Sequence, residues 1–160
     1  ITLLEGYLWD EGNPKKAFNK AIKNSNKTAM TLSDVFCVER HKSQFLELVQ
    51  NKLDIVFANE QEMLSLINGK SFDDAISFSK KLKKNIIITR GAKGAIAINE
   101  GSVFECPAEK NLQIIDLTGA GDLFAAGYLH GIINNLSITD SLLKGNELSS
   151  KIIQKIGARI

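Results

Sequence analysis

Cysteine is scarce in this sequence, which contains only Cys37 and Cys106 among 160 residues. The two lie far apart without a partner spacing, and we find no histidine at a metal-ligand interval from either. The pattern therefore argues against a disulfide framework and against a zinc site. A reducing cytoplasm is the expected compartment.

Long apolar runs and a strong excess of one charge are also missing. No stretch reaches the roughly 18 consecutive apolar residues of a membrane span, and no basic-then-apolar signal segment opens the chain. Twenty Lys and Arg against eighteen Asp and Glu leave a net charge of +2, and the basic run at 80–84 ends a helical stretch, where it suits the helix dipole. We therefore expect no membrane insertion, no secretion and no nucleic-acid partner.

What is present is the composition of a globular domain, 44% hydrophobic and 24% charged, with strand and helix patterns in alternation. The predicted strands are 2–9, 28–34, 53–59 and 85–90, followed by a hairpin within 95–108. The predicted helices are 14–22, 39–50, a helix starting at 59, then 71–84, 121–134 and 139–156, the last ending at Gly157. This alternation predicts one α/β domain with a mostly parallel sheet between helix layers.

The start of the chain lies inside an apolar run, Ile1 to Leu4, without an initiator Met. We expect the sequence to be part of a longer protein. The alternative is a processed or trimmed domain whose first strand lies at its natural edge.

The stretch DLTGAGDLFAAGYLHGI, residues 116–132, places glycines and aspartates in front of a helical pattern. Gly119 and Gly121 would let a ligand approach the backbone, and the free N–H groups of a first helical turn bind anions such as phosphate. A carboxylate at Asp122 could then accept the proton of an attacking hydroxyl, as phosphoryl transfer requires. The alternative is a tight loop with an acidic first helical turn.

This stretch resembles the second signature of the ribokinase-like (PfkB) carbohydrate and nucleoside kinases, Asp-Thr-x-Gly-Ala-Gly-Asp. One position differs from this signature, because Leu117 lies where the family usually has Thr. The resemblance implies that Asp122 is the catalytic base and that Gly119, Ala120, Gly121 and Asp122 supply the anion-hole amides.

Two further segments resemble family motifs. Asn59 and Glu62 match Asn-x-x-Glu, which the resemblance ties to magnesium and phosphate through water; the pair also has the spacing of a helix capping box. The run ITRGAKG resembles the Thr-x-Gly-x-x-Gly segment beside the nucleotide phosphates. Its residues with an expected phosphate-side role are Thr89, Arg90, Gly91 and Gly94; Arg90 would either pair with a phosphate oxygen or be an exposed strand-end charge.

The resemblance also implies roles for residues outside these three motifs. Asn146 lies in a segment that looks like the helix beside the adenine pocket, or is simply a polar residue near a helix start. Thr118 is placed with the nucleotide, and the resemblance allows a monovalent cation such as K⁺ beside Asp116 and Thr118. Glu62 and Asp116 are the candidate metal ligands. His41 and His130 are each isolated and receive no role.

The resemblance covers essentially all 160 residues and leans toward the adenosine kinase-like branch, through LEGYLWD and TLSDVFCVERH. It implies the C-terminal, nucleotide-binding part of a three-layer ribokinase-like fold, with the N-terminal half and lid absent. The expected activity is transfer of the γ-phosphate of ATP, with Mg²⁺, to a primary hydroxyl of a nucleoside, the 5′-hydroxyl of adenosine being favoured. The alternatives are a sugar kinase of ribokinase or fructokinase type and a non-catalytic nucleotide-binding module.

Three expectations concern the activity of the isolated chain, its self-association and the assembly of the full-length protein. Half of the substrate site would be missing, so the chain alone is expected to lack turnover. An exposed strand edge would favour self-association of the isolated chain. A homodimer is the assembly considered for the full-length protein.

Overall fold

A computed structural model describes residues 1–10 and 12–159 of the chain. Strands and helices alternate along it. The strands are β1 (Thr2–Glu5), β2 (Thr28–Thr31), β3 (Ile55–Asn59), β4 (Asn85–Thr89), β5 (Ala95–Asn99) and β6 (Ser102–Cys106). The α-helices are α1 (Pro14–Asn24), α2 (Val35–Asn51), α3 (Glu60–Ile67), α4 (Phe72–Leu82), α5 (Ala120–Ile133) and α6 (Ile138–Ile152). Short 3-10 helices cover Gly6–Trp9 and Gly91–Lys93.

The six strands form one sheet in their chain order, from β1 to β6. β1 pairs with β2, and β2 with β3, both in parallel, with Thr2 opposite Thr28 and Ala29 opposite Ile55. β2 and β3 are buried along nearly their whole length, as strands covered on both faces must be. The expected α/β fold, with helices flanking a sheet that begins as parallel strands, is confirmed.

Several predicted boundaries are wrong by a few residues, including the end of the second strand, which lies at Thr31 rather than at 34. The first strand ends at Glu5, and the chain continues as a 3-10 helix. A side chain at Gly6, the first residue of that helix, would lie 2.9 Å from the carbonyl oxygen of Leu32. The second helix starts early because Asp34 caps it, accepting the N–H of Cys37 at 2.5 Å.

The last helix ends at Ile152 rather than at 156. The carbonyl oxygen of Ile153 accepts the backbone N–H groups of Ile115 and Asp116 at 2.8 and 3.2 Å. These bonds use a carbonyl group at the helix end in tertiary contacts, and the chain leaves the helical path there.

Two compact units can be distinguished. The first comprises Ile1–Ile88 and Ile98–Ser102, and the second Thr89–Ala97 and Val103–Ile160. In the first unit Trp9 is 8% exposed and makes edge contacts with the rings of Phe18 and Phe45, at centroid distances of 4.8 and 6.0 Å. Its indole N–H also donates to Gln44 at 2.7 Å, so Trp9 is a core residue with a satisfied polar atom.

The second unit is built on the packing of α5 against α6. A side chain at Gly127 would overlap the backbone of Lys144, and one at Gly145 would lie 2.9 Å from the carbonyl oxygen of Phe124. The two helices therefore approach more closely than larger residues would allow. Among the described residues, none of the helices has the length and apolar character needed to cross a membrane.

Candidate functional site

The glycine-rich stretch forms the entry to α5 in the second unit. Gly119 is the N-cap, with φ +78° and ψ 2°, a left-handed conformation that L side chains rarely adopt. A Cβ at this position would also lie 2.9 Å from the Cβ of Ala158. Both the backbone angle and the space therefore require glycine at 119.

Gly121 is different, because the structure gives no packing reason for it. It lies in the first turn of α5, and a Cβ there would meet no atom within 4 Å. Glycine costs helix stability relative to alanine, so neither packing nor helix propensity accounts for glycine at this position. The space beside it is open among the described residues.

The amides of this turn are only partly engaged. The N–H of Ala120 donates to the carbonyl oxygen of Leu117 at 3.1 Å, and the N–H of Leu123 to that of Gly119 at 2.9 Å. The N–H groups of Gly121 and Asp122 have no acceptor among the described residues. Two donors at the positive end of the helix dipole are the elements of an anion site.

Asp122 occupies the third position of α5 with its side chain exposed to solvent. Its carboxylate accepts no hydrogen bond within residues 1–10 and 12–159. An unengaged carboxylate next to two free amides can receive a proton from a hydroxyl that binds beside it.

Asp116 organises the loop that precedes α5. One carboxylate oxygen accepts both the N–H and the hydroxyl of Thr118, at 2.9 and 2.7 Å, and the other accepts the N–H of Gly157 at 2.8 Å. These hydrogen bonds hold the pKa of Asp116 below its usual value of 3.8, and the bond from the Thr118 hydroxyl has the largest effect. Leu117, the departure from the family pattern, is 65% exposed and takes no part in this network.

The segment from Thr89 to Gly94 makes a closed turn after β4. Arg90 N–H donates to the carbonyl oxygen of Gly94 at 2.7 Å, and Gly94 N–H donates to that of Gly91 at 2.9 Å. Gly94 has φ +88° and ψ −143°, and a Cβ there would overlap the carbonyl oxygen of Cys106. The turn thus packs directly against the end of β6.

Asn146, on α6, reaches the same segment of chain. Its side-chain amide donates to the carbonyl oxygen of Pro107 at 2.9 Å and contacts the sulfur of Cys106 at 3.1 Å. Gly94 and Asn146 are therefore brought together at residues 106–108 within the second unit. Asn146 has a clear structural contact there, and its predicted place beside an adenine remains a prediction.

Asn59 and Glu62 lie in the first unit, at the junction of β3 and α3. They form a reciprocal capping box, with Glu62 N–H donating to the Asn59 side chain at 2.8 Å and Asn59 N–H to Glu62 at 3.0 Å. The Asn59 amide also donates to Glu62 at 2.5 Å. Glu62 is 5% exposed, and burial raises its pKa above 4.5 despite these bonds.

The structure corrects one interpretation of the sequence. Cys37 and His41 are one helical turn apart on α2, and the ligand atoms of Asp10, Cys37 and His41 lie within 4.8 Å of one another. The interpretation that neither cysteine has a histidine at a metal-ligand spacing is therefore wrong for Cys37 and His41. The spacing of four was visible in the sequence; the contribution of Asp10 was not.

Two other participants could not be found from the sequence. Gly157 was interpreted as a helix terminator, but it binds Asp116. Ala158 carries no polar group, yet it limits the space at Gly119. Only the path of the chain after α6 brings them to the loop before α5.

An α/β sheet whose strands lead into capped helices, with a glycine-rich turn and an aspartate at one helix N-terminus, is typical of proteins that bind phosphate groups. The sequence matches the pfkB family of carbohydrate kinases over residues 4–160, and the chain belongs to that family. The expected resemblance is confirmed.

Proteins similar to this chain are named for different substrates. The cytidine kinase of Thermococcus kodakarensis is 32% identical over 119 residues, which are 72% of this chain and 42% of the relative. The crystal structure of an adenosine kinase from Sinorhizobium meliloti superposes with a TM-score of 0.95 at 38% identity, covering 99% of this chain and 50% of that one. A probable sugar kinase from Rhizobium etli CFN 42 gives a TM-score of 0.94 at 36% identity, covering 99% and 49%. The chain thus spans half the length of these relatives or less.

Proposed function

We propose that the whole protein transfers the γ-phosphate of ATP to a primary hydroxyl of a nucleoside, with adenosine favoured. The observation that carries this proposal is the first turn of α5, where Gly121 borders open space and Asp122 has no partner among the described residues. Membership of the pfkB family supports it. The 160-residue chain would be the C-terminal, nucleotide-binding part of the kinase domain.

In the proposed reaction the acceptor hydroxyl attacks the γ-phosphorus as the bond from that phosphorus to the β-phosphate oxygen breaks, releasing ADP. The hydroxyl proton passes to the carboxylate of Asp122. The amides of Gly121 and Asp122, at the positive end of the helix dipole, stabilise the negative charge on the transferring group. Gly119 acts through the backbone, because its left-handed conformation sets the direction of these amides.

Magnesium would neutralise charge on the phosphates when bound. Carboxylate oxygens are ligands that Mg²⁺ prefers, and Glu62 in the first unit and Asp116 in the second each keep free lone pairs of the kind that this ion binds directly or through water. Each oxygen of Glu62 accepts one hydrogen bond from Asn59, so a lone pair remains on each. One oxygen of Asp116 accepts a single bond, from Gly157. The same loop, with Thr118, is the proposed position of a monovalent cation.

Similar proteins differ in the acceptor that their names give, which is adenosine, cytidine or a sugar. A sugar kinase is therefore the second candidate. A non-catalytic nucleotide-binding module is disfavoured by Asp122, since a carboxylate in an anion site weakens binding unless it has a chemical role. The isolated chain is proposed to lack turnover because it spans half the length of its relatives or less.

Gly121→Ala tests the observation directly. The added methyl group enters empty space and improves helix propensity, so the free energy of unfolding should stay the same or rise by up to about 1 kcal/mol. The KM for ATP should nevertheless increase or kcat decrease, because the methyl group occupies ligand space. Ala126→Ser, at an exposed position of α5 beyond the first turn, is the control. Unchanged kinetics in Gly121→Ala would contradict the proposed anion site.

The acceptor is identified by ADP release from the full-length protein with ATP and Mg²⁺, offered adenosine, cytidine, ribose or fructose separately. Turnover with adenosine as the best acceptor supports the proposal. Turnover with a sugar alone would retain the mechanism and replace the acceptor class. ATP binding without turnover on any acceptor would favour the non-catalytic module.

A further inference from the structure

A second cluster of reactive side chains lies in the first unit, outside the residues proposed for phosphoryl transfer. Within the described chain, Asp10, Cys37 and His41 form one group of three metal-ligating side chains with ligand atoms no more than 4.8 Å apart. Asp10 follows the 3-10 helix Gly6–Trp9, while Cys37 and His41 lie on α2. Their spacing of four residues puts both on the same helix face.

The backbone of α2 changes direction at this point. His41 has φ −118° and ψ 18°, values outside the helical range, in the middle of a 17-residue helix. The departure accompanies the contact between the His41 Nε2 atom and a carboxylate oxygen of Asp10, at 2.6 Å. The imidazole is further positioned against the ring of Phe45, at a centroid distance of 5.7 Å.

Asp10 is held in place by Arg40 as well. The guanidinium donates to both carboxylate oxygens, from Nε at 3.1 Å and from a terminal nitrogen at 2.5 Å. The bond from Arg40 Nε and the contact with His41 use the same carboxylate oxygen of Asp10. The other oxygen can therefore keep its bond to Arg40 while the shared oxygen binds a different partner. Hydrogen bonds of this kind orient ligating carboxylates in metal sites.

The chemistry of the three groups selects a class of ion. A thiolate, an imidazole and a carboxylate are ligands that Zn²⁺ and similar transition-metal ions accept together. Mg²⁺ and Ca²⁺ prefer oxygen ligands alone and would leave the sulfur unused. We propose that Asp10, Cys37 and His41 form a binding site for a Zn²⁺-type transition-metal ion, with a fourth position open to water.

The geometry needs a small rearrangement to accept the ion. Metal–ligand bonds of about 2.0–2.3 Å place neighbouring ligand atoms roughly 3–4 Å apart, so the 2.6 Å contact of His41 with Asp10 must lengthen by about 1 Å. The side chains of Asp10 and His41 are 30% and 20% exposed, whereas Cys37 is fully buried. The ion would therefore enter from the side of Asp10, and the thiol proton of Cys37 would leave to solvent as the sulfur binds.

Bound metal would connect the 3-10 helix Gly6–Trp9 to α2 and so stabilise the first unit. A ligand that binds only the folded state stabilises it by RT ln(1 + [L]/Kd), so the unfolding temperature rises with the logarithm of the metal concentration once the site is saturated. The alternative is that Asp10, Arg40 and His41 form a hydrogen-bonded network with no metal role. These alternatives differ in what they predict for added metal.

The test is titration of the metal-free, full-length protein with Co²⁺, which reports a bound thiolate through a sulfur-to-cobalt charge-transfer absorption. One equivalent should bind with that absorption. Cys37→Ser should remove the absorption, and His41→Gln should weaken binding by about tenfold or more. Cys106→Ser changes the other buried cysteine and should leave the titration unchanged.

Zn²⁺ should also raise the unfolding temperature, and a chelator should reverse the increase. If Cys37→Ser does not fold, His41→Gln and Asp10→Asn, at the partly exposed positions, replace it as the test. Absence of the charge-transfer absorption in the unmodified protein would overturn the proposal. So would an unchanged Co²⁺ affinity in both His41→Gln and Asp10→Asn, or an absorption that disappears in Cys106→Ser.

Discussion

Gly94 offers a quantitative test of how the turn after β4 is built. Its φ of +88° and ψ of −143° lie in a region that is nearly exclusive to glycine, and a Cβ would overlap the carbonyl oxygen of Cys106 and lie 2.7 Å from the N atom of Ala108. Backbone strain of this kind costs about 1–3 kcal/mol, and overpacking against fixed backbone about 1–3 kcal/mol more. Gly94→Ala should therefore lower the free energy of unfolding by about 2–6 kcal/mol.

Gly91, three residues earlier in the same turn, is the matched control. It also has a positive φ, +54°, but a Cβ there would meet no atom within 4 Å. Gly91→Ala should cost only the left-handed strain, about 1–2 kcal/mol. Urea unfolding of the two variants, followed by circular dichroism, measures both free energies. Equal destabilisation would refute the packing of Gly94 against Cys106 as described.

Two further predictions concern the polar contacts of the candidate site. Asn146→Ala removes the bond to the carbonyl oxygen of Pro107 and should lower the free energy of unfolding by about 1 kcal/mol; an unchanged urea midpoint would show that this contact is absent in solution. Glu62 has a pKa raised above 4.5 by burial, so its protonated form stabilises the fold fully below pH 4.5, and that contribution is lost as the pH rises through the folded-state pKa. Relative to the unmodified protein, Glu62→Gln should thus gain stability as the pH rises across this window; parallel stability–pH curves would contradict the burial.

The local patterns of the sequence were sufficient to predict the fold class and most elements. β3 and the start of α3 follow from a short apolar run that ends in a capping pair, Asn59 and Glu62, and the structure has both. The turn between β5 and β6 also follows from the local composition at residues 99–101. In the structure Glu100 and Gly101 both take positive φ, as a tight turn between strands requires. Such features depend on neighbouring residues alone.

Features that depend on distant residues could not be predicted. Asp116 stood out in the motif, but its bond to Gly157 joins residues 41 positions apart. Gly119 and Gly121 look equivalent in the sequence, yet only Gly119 has a close neighbour, Ala158. The structure therefore separates a glycine that the fold requires from one for which it gives no packing reason.

The proposed function depends on Asp122 accepting a proton during phosphoryl transfer. The most direct measurement is steady-state turnover of the full-length protein with ATP, Mg²⁺ and its best acceptor, comparing Asp122→Asn with Asp140→Asn, a first-turn aspartate of α6. Asp122→Asn should lower kcat by about 10²–10⁴-fold with ATP binding retained, while Asp140→Asn should keep its kcat. A kcat for Asp122→Asn close to that of the unmodified protein would rule out Asp122 as the base.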